Sequence, residues 1–225
     1  MFIFYDIETT GINTAFDQIL QFAAVLTDEK FQEIDRFEIR CQILPWVVPS
    51  PTALIVTKTE ISSLTDKSLP SFYEMTSEIY KKLASWSPAT YIGYNSISFD
   101  EQFLHRSFWQ SLYPPYLTVT KGNKRFDLLQ AIRMFLHLVP DVLTIPKKEN
   151  GKDTLKLDLL APANGFKNMI AHDAMGDVEA TIFLAKILSE NNQKLWSLLV
   201  SRSDKYAVAR DLSQGKVILF VESIK

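Results

Sequence analysis

The chain opens with the apolar and aromatic run "MFIFYDI", and two acids, Asp6 and Glu8, stand at its end. A continuous apolar run of this length is typical of a strand in the middle of a sheet. Side chains alternate along a strand, so Asp6 and Glu8 share one face while Ile7 lies on the other. The fold therefore has to place two carboxylates side by side at the end of a central strand.

Two more strands are predicted directly after the first one. Residues 18–27 and 31–43 both have strand-like patterns, and the polar turn "DEK" between them predicts a hairpin. The first strand and this hairpin together indicate three antiparallel neighbours.

The middle of the chain alternates predicted helices with a short strand. A helix is expected at residues 71–86, a strand in "ATYIGYN", and a further helix in "SFDEQFLHRSFWQSL". Residues 127–138 predict another helix with Asp127 as its N-cap, and a long polar loop follows at 140–155. A last strong helix begins near Asp173. This order predicts an α/β fold, with a mixed sheet and helices packed on its faces.

The neighbouring carboxylates at the start of the chain predict a cation site. They repel each other and should not both stay ionised unless a cation lies between them. Carboxylate oxygens are ligands that suit Mg²⁺ or Mn²⁺. Asp6 and Glu8 alone would also fit acids solvated at a strand end. Three residues further along favour the metal site: Asp100 follows the short strand, and His172 and Asp177 flank the start of the last helix.

The stretches "DIETTG", "NSISFD" and "HDAMGD" resemble the three motifs of the DEDDh superfamily of 3′→5′ exonucleases. The resemblance implies a ribonuclease H-like fold with a mixed five-stranded sheet and helices on both faces. It implies that Asp6, Glu8, Asp100 and Asp177 bind two Mg²⁺ ions, which Mn²⁺ could replace. It also implies that His172 is the general base. An unperturbed histidine pKa near 6.5 suits that role at working pH.

Several stretches outside these motifs are similar to the bacterial exodeoxyribonuclease I family, above all "LKLDLLAPANG" before the third motif. That family implies a 3′→5′ exonuclease that degrades single-stranded DNA to 5′-mononucleotides. The resemblance also suggests eight candidate substrate contacts: Glu8, Thr9, Asn95, His105, Tyr116, Arg125, Arg133 and Lys156. Several also fit a structural role, such as a loop anchor for Tyr116, an exposed helix position for Arg133 or helix packing for His105.

Two other functions fit the same motifs. A DEDDh exoribonuclease would use the same pocket, because the metal chemistry acts on the phosphate and the sugar decides the substrate. A non-catalytic nucleic-acid-binding module is the second alternative. The presence of all five catalytic residue types argues against it.

Composition sets broad limits. The net charge is −2, so the chain lacks the general excess of basic residues that is typical of a pure nucleic-acid-binding module. A single cysteine, Cys41, excludes an internal disulfide and fits a reducing compartment. No signal peptide or membrane-spanning run is visible, and we expect a cytoplasmic monomer that does not contact membranes.

The resemblance also predicts a domain organisation. Residues 1–200 would form the exonuclease domain, and residues 201–225 a linker and the start of a truncated SH3-like domain. The predicted strand "KVILFVE" near the end has no partner strand left in the sequence, which favours a fragment. Single-stranded DNA is the expected partner. A single-stranded DNA-binding protein would be a second partner, through the missing C-terminal domains.

Overall fold

A five-stranded mixed sheet forms the centre of the computed structural model, which describes residues 1–139, 141–167 and 173–218. The strands are β1 (Phe2–Thr9), β2 (Ile19–Thr27), β3 (Glu33–Arg40), β4 (Thr90–Gly93) and β5 (Lys124–Asp127). Their order across the sheet is β3-β2-β1-β4-β5. β1 pairs antiparallel with β2 and parallel with β4, so the opening run is the central strand, as predicted.

Helices and turns connect and cover this sheet. The helices in the described residues are α1 (Pro51–Thr57), α2 (Ile61–Leu64), α3 (Phe72–Trp86), α4 (Asp100–Gln110), α5 (Leu128–Leu138), α6 (Leu157–Ala163), α7 (Ala174–Asn191), α8 (Gln193–Ser201) and α9 (Lys205–Ser213). The predicted helices α3, α4, α5 and α7 are confirmed, and their ends agree within a few residues. In the ranges that the structure describes, every helix is too short or too polar to cross a membrane.

The alternation along β1 divides the core into two layers. Phe2 and Phe4 pack in a cluster with α5, α6 and α7, whereas Ile3 and Tyr5 pack in a second cluster with α3 and α4. Both clusters are buried, so the helices cover both faces of the sheet, as predicted. The strand period of two places the side chain of Asp6 on the same face as Phe4. The acids at the end of β1 therefore lie on the face that α7 covers.

Local capping explains where three of these helices begin. Ser71 and Glu74 form a capping box at the start of α3, because each side chain accepts a backbone N–H of the other residue. Asp173 caps α7 by accepting the N–H of Gly176 at 3.3 Å. Asp127 caps α5 by accepting the N–H of Leu129 at 3.0 Å, which confirms the predicted cap.

Asp127 does more than cap its own helix. Its carboxylate also accepts the backbone N–H of Asn95 at 3.1 Å and that of Ile97 at 3.3 Å. These bonds hold the turn that leaves β4, in which Asn95 has a left-handed φ of 61°. The turn leads directly to Asp100, the first residue of α4.

The sequence patterns missed several elements. β5 is only four residues long and three of them are charged, so the sequence contains no alternation of apolar residues that would predict a strand paired with β4. The Pro-rich connection contains α1, which begins at Pro51, where a missing N–H costs nothing. The predicted strand "KVILFVE" begins at Lys216. Residues 216–218 form no strand, and the rest of the stretch lies outside the described residues.

Candidate active site

Three acids from two elements converge at the end of β1. One carboxylate oxygen from each of Asp6, Glu8 and Asp177 lies within 4.8 Å of the others. Asp6 and Glu8 are two residues apart on β1, and Asp177 lies in the first turn of α7. The sequence analysis predicted that these three acids meet, and the fold brings them together because α7 packs on the face of β1 that carries them.

Burial and mutual repulsion raise the pKa values in this cluster. The pKa of Asp6 lies well above its usual range, first because the carboxyl is buried and then because of the charges of Asp100, Asp177 and Glu8. Burial and the charge of Asp177 raise the pKa of Glu8 to about 8, although Arg40 acts in the opposite direction. The pKa of Asp177 rises to about 7, by burial and then by the charge of Asp158. Ionisation of these carboxyls is therefore disfavoured among the described residues, and an added cation would favour it.

The cluster fits a divalent cation. Asp177 Oδ1 is buried and has no hydrogen-bond partner within the described residues. A buried oxygen of this kind normally has a partner, and an ion is one explanation for its absence. The donors are hard carboxylate oxygens of the type that Mg²⁺ and Mn²⁺ prefer. These residues could therefore hold the ions that the sequence analysis expected.

Asp100 lies beside this cluster, at the start of α4. It is 4% exposed, and burial raises its pKa well above the usual range, with further contributions from Glu101, Asp127 and Glu8. Its charge is the largest electrostatic contribution to the raised pKa of Asp6. Asp100 is not one of the three acids whose oxygens converge within 4.8 Å, and its role as a ligand stays a prediction.

The predicted base, His172, lies outside the described residues. The next residue, Asp173, lies in a polar cluster that the sequence analysis missed. Its Oδ1 accepts a hydrogen bond from Arg40 at 2.7 Å and one from Gln21 at 2.9 Å. These contacts fix the start of α7 against the ends of β2 and β3. The sequence predicted only that the last helix begins near Asp173, because Gln21 and Arg40 are distant from it in sequence.

Three of the predicted substrate contacts line one cleft with Asp177. The cleft has a volume of about 550 Å³, and its walls include Asn95 from the turn after β4, Arg133 from α5 and Lys156 before α6. We call it the Asp177 cleft. It combines two cationic side chains with a catalytic candidate, which is the arrangement expected beside a phosphate ester. Thr9 is buried instead, and its hydroxyl donates to the carbonyl of Gly11 at 2.7 Å.

The other predicted contacts surround Glu101, a residue that the sequence analysis did not single out. Arg125 Nη1 and His105 Nε2 each lie 3.1 Å from Glu101 Oε2. Tyr116 is 57% exposed, and its ring meets that of His105 edge-on at 5.0 Å between centroids. Arg125 and His105 thus have a buried partner close to Asp100, whereas Tyr116 presents most of its ring to solvent.

Glu101 is fully buried and fully partnered. Its carboxylate accepts hydrogen bonds from Tyr5 and from Thr118, both at 2.7 Å, in addition to its cationic neighbours. Burial alone would raise the pKa of Glu101, but the nearby imidazole of His105, the hydrogen bonds from Thr118 and Tyr5 and the charge of Arg125 lower it below the usual value. The network joins α4 to β1 and β5, and so fixes the helix that carries Asp100.

The sheet order and the acidic cluster together define a ribonuclease H-like α/β protein with a nuclease-type centre. Comparison with known proteins gives the family: the RNase_T family model, described as "Exonuclease", matches residues 3–185. The chain belongs to this exonuclease family, and the resemblance stated from the sequence motifs is confirmed.

Curated relatives and solved structures agree with this assignment. The chain is 31% identical to exodeoxyribonuclease I of Escherichia coli K12, over 99% of this chain and 47% of the relative. E. coli exonuclease I solved with a dA16 oligonucleotide matches with a TM-score of 0.86 and 29% identity, over 93% of this chain and 45% of that chain. A zinc-bound form of the E. coli enzyme with single-stranded DNA matches with a TM-score of 0.85 and 30% identity, over 93% and 44%. The chain thus spans about half the length of these proteins.

Proposed function

We propose that this chain carries the active site of a metal-dependent 3′→5′ exonuclease that degrades single-stranded DNA to 5′-mononucleotides. The observation that carries the proposal is the convergence of Asp6, Glu8 and Asp177 within 4.8 Å, with Asp177 Oδ1 left without a partner among the described residues. The relatives support the choice of substrate, because the E. coli enzyme was solved with single-stranded oligonucleotides.

Each acid has a proposed task in this reaction. Asp6, Glu8, Asp100 and Asp177 would hold two Mg²⁺ ions, or Mn²⁺ in their place. Ions in such a site lower the pKa of water and stabilise the leaving oxygen of the phosphodiester. His172 would accept the proton of the attacking water, as the motif resemblance implies. Arg133 and Lys156 would bind the backbone phosphates in the Asp177 cleft, next to Asn95.

The remaining predicted contacts fit this site less directly. Thr9 is buried, so its backbone rather than its hydroxyl would meet the terminal nucleotide. Arg125 and His105 would act beside Asp100, and Tyr116 would offer an exposed ring for stacking. We keep residues 1–200 as the proposed exonuclease domain and 201–225 as the proposed linker. We further propose a cytoplasmic monomer, and the buried thiol of Cys41 is compatible with a reducing compartment.

A hydrolysis assay tests the proposal. The protein is incubated with single-stranded DNA and with RNA, each labelled at the 5′ end, with Mg²⁺ or with chelator. We expect Mg²⁺-dependent shortening of DNA from its 3′ end in single-nucleotide steps. Cleavage of RNA alone would instead indicate an exoribonuclease, and the absence of products from both would leave a binding module.

One variant separates a catalytic role of the acids from a structural one. Asp6→Asn keeps the side-chain shape and removes a buried charge that its neighbours repel. We expect a protein that is folded and at least as stable as the parent in chelator, with almost no nuclease activity. Glu190→Gln, at an exposed acid on the same helix as Asp177, is the control and should keep full activity. An active Asp6→Asn protein would refute the proposed mechanism.

A further inference from the structure

A small pocket, of about 280 Å³, borders the acidic cluster at Glu8 and is separate from the Asp177 cleft. Glu8 lines the pocket and not the cleft, whereas Asp177 lines the cleft and not the pocket. Oxygens of these two acids lie within 4.8 Å of each other, so the cluster stands between the two spaces. Another wall of the pocket is the turn that joins α1 to α2, which includes Lys58. We call this space the Lys58 pocket.

The size and lining of the Lys58 pocket suit one small ligand. Its volume is close to the lower end of ligand-pocket volumes in proteins, which is about 300 Å³, so it cannot hold several nucleotides of a strand. The buried side chains of Leu20 and Leu64 line it together with the polar residues Thr59 and Ser63. Apolar side chains with a few polar groups among them are the usual lining of a site for a small organic molecule.

Arg40 and Lys58 both line the pocket, but only Arg40 has carboxylate partners among the described residues. The guanidinium of Arg40 lies 2.7 Å from Asp173 Oδ1 and 3.7 Å from Glu38 Oε1. Lys58 is exposed and forms no ion pair within the part of the chain that the structure describes. An anionic group of a ligand would therefore meet an ammonium for which no described carboxylate competes.

The backbone at Lys58 has a conformation that favours glycine. Lys58 is the C-cap of α1, with φ 52° and ψ 32°, in the left-handed region. Glycine is the usual residue at such a helix end, because a Cβ raises the free energy of this conformation. The turn is fixed on both sides: the N–H of Lys58 donates to the carbonyl of Leu54, and the hydroxyl of Thr57 donates to that of Thr59 at 2.7 Å. Residues held in strained conformations concentrate at functional sites.

The proposed reaction places the last nucleotide of a strand in this pocket. When the strand lies in the Asp177 cleft, beside Arg133 and Lys156, the nucleotide beyond the scissile phosphate lies past the cluster, next to Glu8. A terminal nucleotide with a 3′-hydroxyl has no further anion to offer Lys58. A 3′-phosphate adds a charge of about −1.5 to −2 near neutral pH and three acceptor oxygens. The unpaired ammonium thus matches an end that carries an additional phosphate.

We propose that the Lys58 pocket binds the terminal nucleotide of strands that end in a 3′-phosphate, and that Lys58 contacts this phosphate. The enzyme then accepts ends that lack a free 3′-hydroxyl. In the reaction, the oxygen of water bonds to the phosphorus of the last internucleotide phosphodiester. The bond from that phosphorus to the 3′ oxygen of the preceding nucleotide breaks, and this oxygen takes up a proton. The products are a nucleoside 3′,5′-bisphosphate and a strand that ends in a 3′-hydroxyl.

Strands that differ only at the 3′ end test this site. The inference rests on the proposed function for the position of the strand, but binding can be measured without hydrolysis. Binding of DNA labelled at the 5′ end, with a 3′-phosphate or a 3′-hydroxyl, is followed by fluorescence anisotropy in chelator. The first cleavage is measured in a single turnover with Mg²⁺, and the released product is identified by chromatography.

The variants are Lys58→Gly and Lys58→Arg, with Leu112→Gly as the matched control. Leu112 also has a left-handed φ, of 63°, is 93% exposed and lines neither the Lys58 pocket nor the Asp177 cleft. The control therefore relieves the same kind of backbone strain away from the site. Both glycine variants should have a raised urea midpoint for this reason.

The parent should bind the 3′-phosphate strand more tightly than the 3′-hydroxyl strand, and should release the bisphosphate from it. Lys58→Gly should weaken binding of the 3′-phosphate strand about tenfold relative to the 3′-hydroxyl strand, which is the effect of one lost charged hydrogen bond. The ratio of the two first-cleavage rates should fall in the same direction. Lys58→Arg keeps the cation and should keep the preference, as should Leu112→Gly.

Three results would overturn the inference. The first is a parent protein that neither prefers nor cleaves the 3′-phosphate strand, and the second is a Lys58→Gly protein with the parent's ratio, whether both strands bind as before or both bind equally more weakly. The third is release of inorganic phosphate, which would place the 3′-phosphate at the acidic cluster instead of at Lys58. A protein that binds 3′-phosphate strands through Lys58 but hydrolyses neither strand would refute the proposed function and leave this site standing.

Discussion

Removal of the buried charge of Glu101 should be among the most costly single changes in this fold. In Glu101→Gln the amide oxygen can stay at the position of Oε1 and keep the hydrogen bond from the hydroxyl of Tyr5. Its NH₂ group, however, replaces the oxygen that lies 3.1 Å from the guanidinium of Arg125. A buried pair that loses one charged partner costs about 3–5 kcal/mol, because the other charge stays behind. Because Arg125 is partly exposed, we expect about 3 kcal/mol for Glu101→Gln, at the lower end of that range.

Urea unfolding followed by circular dichroism measures this loss. Glu78→Gln is the matched control: Glu78 is 54% exposed and pairs with Lys81 at 2.9 Å, and exposed pairs of this kind contribute about 0–1 kcal/mol. The comparison thus sets a buried carboxylate against an exposed one by the same chemical change.

The pH dependence adds a second criterion. The folded-state pKa of Glu101 lies below its usual value of 4.5, so its contribution is present above pH 4.5 and is lost as the pH falls through the folded pKa. The stability difference between parent and Glu101→Gln should therefore be constant near neutral pH and shrink in acid. A Glu101→Gln protein within about 1 kcal/mol of the parent at neutral pH, where isolated surface changes fall, would refute the assigned role of the network.

Two further predictions concern the acidic cluster and its surroundings. Because the folded-state pKa of Glu8 is raised from 4.5 to about 8, the protein in chelator should lose stability as the pH rises from about 4.5 to about 8, at up to about 1.4 kcal/mol per pH unit. Mg²⁺ or Mn²⁺ should reverse this loss, so thermal melts should show a larger metal-induced rise in Tm at pH 8.5 than at pH 6. An equal rise in Tm at both pH values would contradict the assignment of the metal site to this cluster. Asp173→Ala removes the α7 cap and the partner of Arg40, and should cost about 1–2 kcal/mol in urea unfolding. A change within error would mean that Asp173 does not fix the start of α7.

The sequence predicts the part of the site that depends on local periodicity. The run "MFIFYDI" predicts a central strand, and the strand period places Asp6 and Glu8 on one face before any coordinates are consulted. The cap at Asp127 and the start of the last helix near Asp173 follow from the residue types that accept backbone N–H groups. These features need only a few neighbouring residues, and all of them are confirmed.

Other features depend on residues that are distant in the chain. Only two of the four residues of β5 are buried, and the segment forms a strand because it pairs in parallel with the edge of β4. The Glu101 network joins partners up to 96 residues apart. The side chains of Gln21, Arg40 and Asp173 likewise meet only after β2, β3 and α7 have packed. No local pattern marks such contacts, so the sequence analysis listed His105 and Arg125 as substrate contacts without their buried partner.

Asp100 and Glu101 are neighbours in sequence and are both buried, yet the fold treats their charges in opposite ways. Hydrogen bonds and cations surround the carboxylate of Glu101, and its pKa falls. Burial and other carboxylates surround Asp100, and its pKa rises, as do those of Asp6, Glu8 and Asp177. The donors around Glu101 let its carboxylate stabilise the fold by itself, whereas the four acids, whose pKa values are raised by burial and by nearby carboxylates, need an added cation to do so. The contrast distinguishes Glu101 from its sequence neighbour Asp100, and it does so without reference to any relative.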